Sequence, residues 1–161
     1  MKYSQKYCLA YLLVPMEDGI QFYADHWPLH VTLADVFAID RQSSGIKAKL
    51  KATLARRNTV TTTILNESVL GTTPVVLLDK TSTLLALHST IISLLEANGT
   101  IFNDPQFTEE GFIPHYTIQE GKRLDEDDVI NIDSVTLIDM FPGDDWQQRR
   151  VISTFKLQSA V

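Results

Sequence analysis

The stretch WPLHVTL, residues 27–33, places a histidine and a threonine two positions apart in a run that is typical of a β-strand. Successive side chains of a strand alternate between its two faces, so His30 and Thr32 should share one face and Val31 should point to the other. A single histidine of this kind is most often a packed or surface residue. A functional role for His30 therefore depends on a second element elsewhere in the chain.

The stretch FIPHYTI, residues 112–118, repeats this layout: an aromatic residue, a proline, and then His-x-Thr with apolar neighbours. His115 and Thr117 should share one face of their strand, with Tyr116 on the other face. Each half of the chain thus carries one copy of the motif. If the two strands are neighbours in a sheet, two imidazoles and two hydroxyls line one cleft.

These side chains fit a particular chemistry. Imidazole exchanges protons near neutral pH because its unperturbed pKa is about 6.5. One histidine can take a proton from water while the other protonates a leaving oxygen. The threonine hydroxyls can donate hydrogen bonds to phosphoryl oxygens as negative charge grows on them. The paired motif therefore predicts cleavage of a phosphodiester without a metal, particularly of a strained cyclic one.

A third His-x-Thr, at residues 88–90, lies in a predicted helix. Side chains two positions apart do not face each other on a helix, so we expect a structural or surface role for His88. The remaining alternative is a metal site, because His26 and His30 are four residues apart and Asp25 is adjacent. Pro28 disfavours the helix that would bring those histidines together. We therefore expect neither a metal site nor a cofactor.

Composition narrows the class of protein. The length of 161 residues fits a single domain over 1–161. A formal net charge of −6 argues against sequence-independent binding to duplex DNA. Cys8 is the only cysteine, which excludes an intrachain disulfide and fits a reducing compartment. No stretch is long and apolar enough for a transmembrane helix. We expect a cytoplasmic protein that binds neither membranes nor duplex DNA.

The hydrophobic patterns predict two helices and about seven strands, in an α+β or mixed α/β domain. Helical spacing of Ile46, Leu50 and Leu54 places the first helix within 43–58. The second helix lies within 81–99, with Thr81 or Ser82 as its N-cap. The predicted strands are 7–14, 29–38, 59–65, 74–79, 112–119 and two strands within 133–157 that flank a Pro-Gly-Asp-Asp turn.

The paired elements HVTL (30–33) and HYTI (115–118) resemble the defining motifs of the two-histidine (2H) phosphoesterase superfamily. That group includes bacterial 2′–5′ RNA ligase-like proteins and cyclic nucleotide phosphodiesterases. WPLHVTL is similar to the family's entry into its first motif, and FPGDDWQQRRVISTFKL (141–157) is similar to its terminal hairpin. The resemblance implies an α+β fold with two pseudo-symmetric lobes of antiparallel sheet, helices packed outside and a central cleft.

The resemblance also implies roles for single residues. His30 and His115 would be catalytic, and Thr32 and Thr117 would bind phosphate. The implied activity is metal-independent hydrolysis of a 2′,3′-cyclic phosphate or a 2′–5′ phosphodiester in a small nucleotide or an RNA end. We also expect a monomer. A non-catalytic module that binds a nucleotide or RNA end on the same fold is the alternative. Members of the family commonly have a basic residue after a motif, whereas HVTLAD and HYTIQE continue into acidic residues.

Four further residues are candidates for contact with a base or with the rest of the substrate. Trp146 follows a polar turn and, with Tyr23, offers an aromatic surface for stacking. Arg149 and Arg150 are adjacent, so in a regular strand only one of them reaches the cleft, and the sequence leaves open which. Phe22 and Trp27 are better explained by hydrophobic packing.

Overall fold

A computed structural model of the chain describes residues 5–39, 45–119, 121–125 and 128–159. Within these ranges it contains two α-helices, ten strands and three single-turn 3-10 helices. The helices are α1 (Ile46–Leu54) and α2 (Ser82–Ala97). The strands are β1 (Gln5–Leu12), β2 (Gln21–Tyr23), β3 (His30–Ile39), β4 (Val60–Leu70), β5 (Thr73–Leu78), β6 (Ile101–Phe102), β7 (His115–Thr117), β8 (Val129–Ile132), β9 (Ser134–Asp139) and β10 (Gln148–Lys156).

The predicted α+β class with two helices is confirmed. Thr81 is the N-cap of α2, and its hydroxyl accepts a hydrogen bond from the Leu84 N–H. Three strands were not predicted: β2, β6 and β8, with three, two and four residues. Such short strands span too few residues to show an alternating pattern. No helix in the described part of the chain is long and apolar enough to cross a membrane.

The ten strands form one sheet in which every strand pairing is antiparallel. The order is β2-β10-β9-β1-β3-β7-β5-β4-β8, and β6 pairs with the far end of β3. The two strands that carry the His-x-Thr motifs, β3 and β7, are therefore neighbours at the centre of the sheet. The motif of the second half of the chain is thus joined directly to that of the first half.

Both helices pack on one face of the sheet. Their buried side chains, which include Leu50 of α1 and Ile92 of α2, form a single core with Val31 of β3 and Tyr116 of β7. A second, smaller apolar cluster lies on the other face: Cys8, Ala10, Leu12 and Ile138, with Phe22, Trp27, Met16 and Met140 packed against them. The sheet therefore has a helix-covered face and an opposite face that is free to carry a site.

Strand β3 has an irregular pairing with β1 just after its motif. Ala10 pairs with Thr32, but Leu9 pairs with Ala34 and Tyr7 with Phe37, so β3 has one extra residue at each of these two steps. Extra residues of this kind form β-bulges, which re-aim side chains and release backbone groups from the ladder. The bulged segment of β3 comprises residues 33–36.

We predict that removing the N-cap of α2 weakens the fold. Thr81→Ala should lower the free energy of unfolding by about 1 kcal/mol, because the Leu84 N–H loses its acceptor. Ser82→Ala is the matched control, since Ser82 is exposed and begins the same helix. Urea titrations of both variants measure the difference. Equal losses in the two variants would contradict the assigned cap.

Candidate active site

The register between β3 and β7 determines how the motif side chains are arranged. Val31 pairs with Tyr116, and both are buried in the core beneath the helices. Continuing this antiparallel register places His30 opposite Thr117 and Thr32 opposite His115. All four side chains then lie on the face away from the core. The two histidines are diagonal neighbours, a relation in which Cβ atoms are somewhat less than about 7–8 Å apart, close enough to flank one phosphate.

Both imidazoles are oriented by the same local contact. The Nδ1 atom of His30 lies 2.8 Å from the Pro28 carbonyl oxygen, and that of His115 lies 2.7 Å from the Ile113 carbonyl oxygen. A carbonyl oxygen only accepts, so each Nδ1 carries the hydrogen and donates it. The Nε2 atom of each ring is then left to exchange a proton in the cleft.

His30 lies in the more enclosed environment of the two. The Trp27 ring packs on its imidazole at 4.4 Å between centroids, and Phe22 packs edge-on against Trp27 at 5.0 Å. Burial lowers the pKa of His30, the bond to the Pro28 carbonyl opposes this, and positive charge on His115 lowers it further. His30 is therefore held neutral at pH 7, and the two histidines are close enough to influence each other.

A cavity of about 540 Å³ opens beside Thr32 and His115. Its walls are mostly apolar, and among the described residues that line it there is no lysine or arginine. The lining consists of Thr32, Leu33, Asp35, Val69, Leu70, Gly71, His88, Phe107, Phe112, Ile113 and His115. Asp35 supplies the one carboxylate in this set, and one of its oxygens accepts a hydrogen bond from the Val36 N–H at 2.8 Å. The sequence did not predict that Asp35 belongs to the site, because the β3 bulges bring it there.

His88 lies at the wall of the same cavity but is itself buried. Its Nδ1 donates to the Leu33 carbonyl at 2.7 Å, its Nε2 accepts the Glu109 N–H at 3.0 Å, and its ring stacks on Phe112 at 3.9 Å. Of the two roles expected from the sequence, the surface role is excluded. The sequence signal for this burial is helical spacing, which puts His88 on the same face of α2 as the apolar residues Leu84, Ile91, Ile92 and Leu95.

The two aromatic candidates lie outside this cavity. Trp146 is 67% exposed and Tyr23 is 61% exposed. Tyr23 is in β2, which pairs with the start of β10, and its ring lies 6.2 Å from that of His26. Both side chains therefore have surfaces that a ligand can reach, and neither lines the cavity beside His115.

The two arginines lie on opposite faces of β10. Arg150 forms an ion pair with Asp139 at 3.5 Å, on the face of the sheet that carries Tyr7. Alternation places Arg149 on the face of the motifs, where its charge opposes the burial that raises the pKa of Cys8 to about 12. The Arg149 guanidinium donates to three carbonyl oxygens, those of Met140, Trp146 and Gln148.

Two residues of the metal alternative, Asp25 and His26, contact each other at the surface. His26 Nδ1 lies 2.6 Å from Asp25 Oδ1, with side chains that are 60% and 81% exposed. In the described part of the chain, no group of three or more histidine, cysteine, aspartate or glutamate side chains is placed to hold a metal ion.

Comparison with known proteins identifies the family. The model of the 2′-5′ RNA ligase superfamily matches residues 18–132, which contain both His-x-Thr motifs. The chain belongs to this superfamily. The resemblance inferred from HVTL and HYTI is thereby confirmed. No curated protein matches the chain.

Solved structures share the fold of this superfamily member at low sequence identity. A crystal structure of a phosphoesterase has a TM-score of 0.59 at 19% identity, covering 96% of this chain and 98% of that one. E. coli LigT complexed with 3′-AMP gives 0.58 at 18% identity, over 96% and 98%. A protein from Thermus thermophilus gives 0.60 at 12% identity, over 97% and 100%. These identities establish a common fold.

We predict that burial of His30 makes the stability of the protein depend on pH. The folded chain lowers the pKa of His30 below about 6.5, the value in an unfolded chain. Below that pH the unfolded chain binds more protons than the folded chain. The stabilisation is therefore complete above pH 6.5 and is lost as the pH falls towards the folded value.

His30→Asn cannot titrate but keeps a donor near the position of Nδ1. Urea unfolding at pH 7.5 and pH 5.5 should show a smaller loss of stability for this variant than for the wild type. Burial also lowers the pKa of His88, so His88 adds its own pH-dependent loss of stability to both proteins. An identical loss in the variant and the wild type would contradict the prediction.

Proposed function

We propose that this protein is a phosphoesterase that hydrolyses a 2′,3′-cyclic phosphate or a 2′–5′ phosphodiester in a nucleotide or RNA end, and that it acts as a monomer without a metal ion. The observation that carries the proposal is the register of β3 and β7, by which two imidazoles and two hydroxyls share the face of the sheet away from the helices. Both imidazoles present Nε2, because both Nδ1 atoms are used by carbonyl oxygens.

In the proposed reaction His30 is the base and His115 is the acid. Burial disfavours a proton on His30, so His30 is the histidine that is suited to take a proton. His30 Nε2 takes a proton from water as the water oxygen bonds to phosphorus. His115 Nε2–H gives its proton to the leaving ribose oxygen as the bond from that oxygen to phosphorus breaks. Thr32 and Thr117 donate hydrogen bonds to the non-bridging oxygens.

The relatives support a substrate of nucleotide size. E. coli LigT, whose fold this chain shares, has been crystallised with 3′-AMP, with NADP+ and with ATP. All three ligands combine a phosphate with a nucleoside. A module that binds such a ligand without turnover is the second candidate, and it differs from the enzyme only in whether the phosphodiester is cleaved.

Incubation of the purified protein with 2′,3′-cyclic AMP tests the proposal. We expect release of adenosine 2′-phosphate, at a rate that EDTA does not change. Binding of the cyclic nucleotide without product would favour the binding module. Loss of turnover on chelation, with recovery on adding a divalent ion, would favour a metal-dependent reaction.

We predict that His30→Ala and His115→Ala each reduce kcat about 100-fold or more, the usual contribution of a positioned acid or base. The double variant should lose much less than the product of the two losses, because the residues act as one unit. The matched control is His26→Ala, an exposed histidine in the same segment as His30. Full activity of His115→Ala would contradict the assignment.

The lining of the cavity beside His115 favours one kind of substrate group over another. Its apolar wall suits a nucleobase, and the Asp35 carboxylate suits a base or sugar group that donates a hydrogen bond. The same carboxylate repels a second phosphate, and the described lining offers no cation to neutralise one. We propose that the substrate places an uncharged group here and carries its negative charge only at the phosphodiester that is cleaved.

We predict that Asp35→Asn relaxes this discrimination. The two substrates are 2′,3′-cyclic AMP with and without a 5′-phosphate, and the measurement is the ratio of their kcat/KM values. The variant should favour the 5′-phosphorylated substrate about 10-fold more than the wild type does, which corresponds to about 1.4 kcal/mol. Glu110→Gln removes the same charge from an exposed residue that does not line the cavity and should leave the ratio unchanged. An equal change in both variants would contradict the role of Asp35.

A further inference from the structure

We propose that His88 is a positioning residue that fixes the two His-x-Thr strands relative to each other through a single imidazole. Its ring contacts both sides of the site: the bulged segment of β3 after Thr32, and the loop that leads into His115. The inference rests on the proposed function for its kinetic test, but the structural link can be measured independently of turnover.

The contact with β3 uses the carbonyl oxygen of a bulge residue. Ala10 pairs with Thr32 and Leu9 with Ala34, so Leu33 is the extra residue of the first bulge. Its carbonyl oxygen accepts the Nδ1–H of His88 at 2.7 Å. The residue immediately after Thr32 is thereby tied to α2, and α2 gains a fixed position over the strand of the first motif.

The contact with the second motif uses the loop at 105–114. His88 Nε2 accepts the backbone N–H of Glu109, and the neighbouring Ser89 hydroxyl donates to the Glu109 carboxylate at 2.5 Å. Glu109 has a φ of +53°, a conformation that is unfavourable for a residue with a side chain, so it needs contacts of this kind to hold it.

The same loop also orients the His115 ring. Phe112 stacks on the His88 imidazole with only 5° between the ring planes. The next residue, Ile113, provides the carbonyl oxygen that accepts the Nδ1–H of His115. A shift of Phe112 therefore moves the group that selects the tautomer and the direction of the His115 ring.

The chemistry of this position suits imidazole. The contacts need a donor at Nδ1, an acceptor at Nε2 and a flat ring between them, which the neutral Nδ1–H tautomer combines. A buried leucine would fill the volume but leave the Glu109 N–H without its acceptor and the Leu33 carbonyl without its donor. The polar contacts, and not only the packing, therefore carry the proposed role.

Three variants at His88 separate these contacts. His88→Asn keeps a donor near Nδ1 for the Leu33 carbonyl, and His88→Gln keeps an acceptor near Nε2 for the Glu109 N–H. His88→Ala keeps neither. Leu95→Ala is the matched control, because it also opens a gap in the buried face of α2, about two turns further along the helix. Thermal melts of all the variants identify an assay temperature at which each protein is folded.

With 2′,3′-cyclic AMP as the probe, His88→Ala should lower kcat about 100-fold with little change in KM, because misplacing a catalytic group by about 1 Å has an effect of that order. His88→Gln should recover more activity than His88→Asn, since it keeps the link to the loop that orients His115. Leu95→Ala should stay within about threefold of the wild type. A loss of kcat in Leu95→Ala equal to that in His88→Ala would overturn the inference.

Nitrogen-15 NMR of the histidine side chains provides the readout that does not need turnover. In the wild type His88 and His115 should each show a protonated Nδ1 and an unprotonated Nε2 at pH 8. In His88→Ala the His115 ring should become a mixture of tautomers. A single unchanged His115 tautomer would overturn the inference, whatever the activity. Absence of turnover in the wild type would instead count against the proposed function.

Discussion

The pairing of Val31 with Tyr116 is the contact on which the site depends. It joins strands from the two halves of the chain, and both side chains are buried under the helices. Side chains alternate along a strand, so a slip of either strand by one residue would exchange its buried and exposed side chains and turn its histidine into the core. The hydrophobic core thus specifies the register, and the register specifies that the imidazoles and hydroxyls share a face.

The two histidines share one local contact but differ in the residues that pack around them. Each ring is oriented by a carbonyl two residues earlier in the chain, so the two motifs are equivalent at that level. The aromatic residue three positions before each histidine breaks the equivalence: Trp27 packs on His30, whereas Phe112 stacks on the distant His88, and His115 faces the cavity. The two motifs are therefore alike in sequence and local geometry, but burial lowers the pKa of His30.

The bulged segment of β3 follows the first motif directly and carries residues that are particular to this chain. Leu33, the extra residue of the first bulge, provides the carbonyl oxygen that His88 contacts, and Asp35 of the same bulged segment lines the cavity. The result is an apolar pocket with one carboxylate in place of the basic side chain that family members commonly have after a motif. Membership of the superfamily accounts for the two histidines, whereas the character of the pocket determines what can be bound beside them.

The sequence by itself determined the paired motifs, their shared faces, the two helices, the longer strands and the superfamily. These features follow from periodicity, caps and residue identity within short segments. Tertiary structure alone decided that Arg149 rather than Arg150 shares the face of the motifs, that Asp35 lines the cavity and that His88 links both halves of the site. Those outcomes depend on strand register, on bulges and on contacts between residues far apart in the chain, and none of these leaves a periodic signal in a single segment.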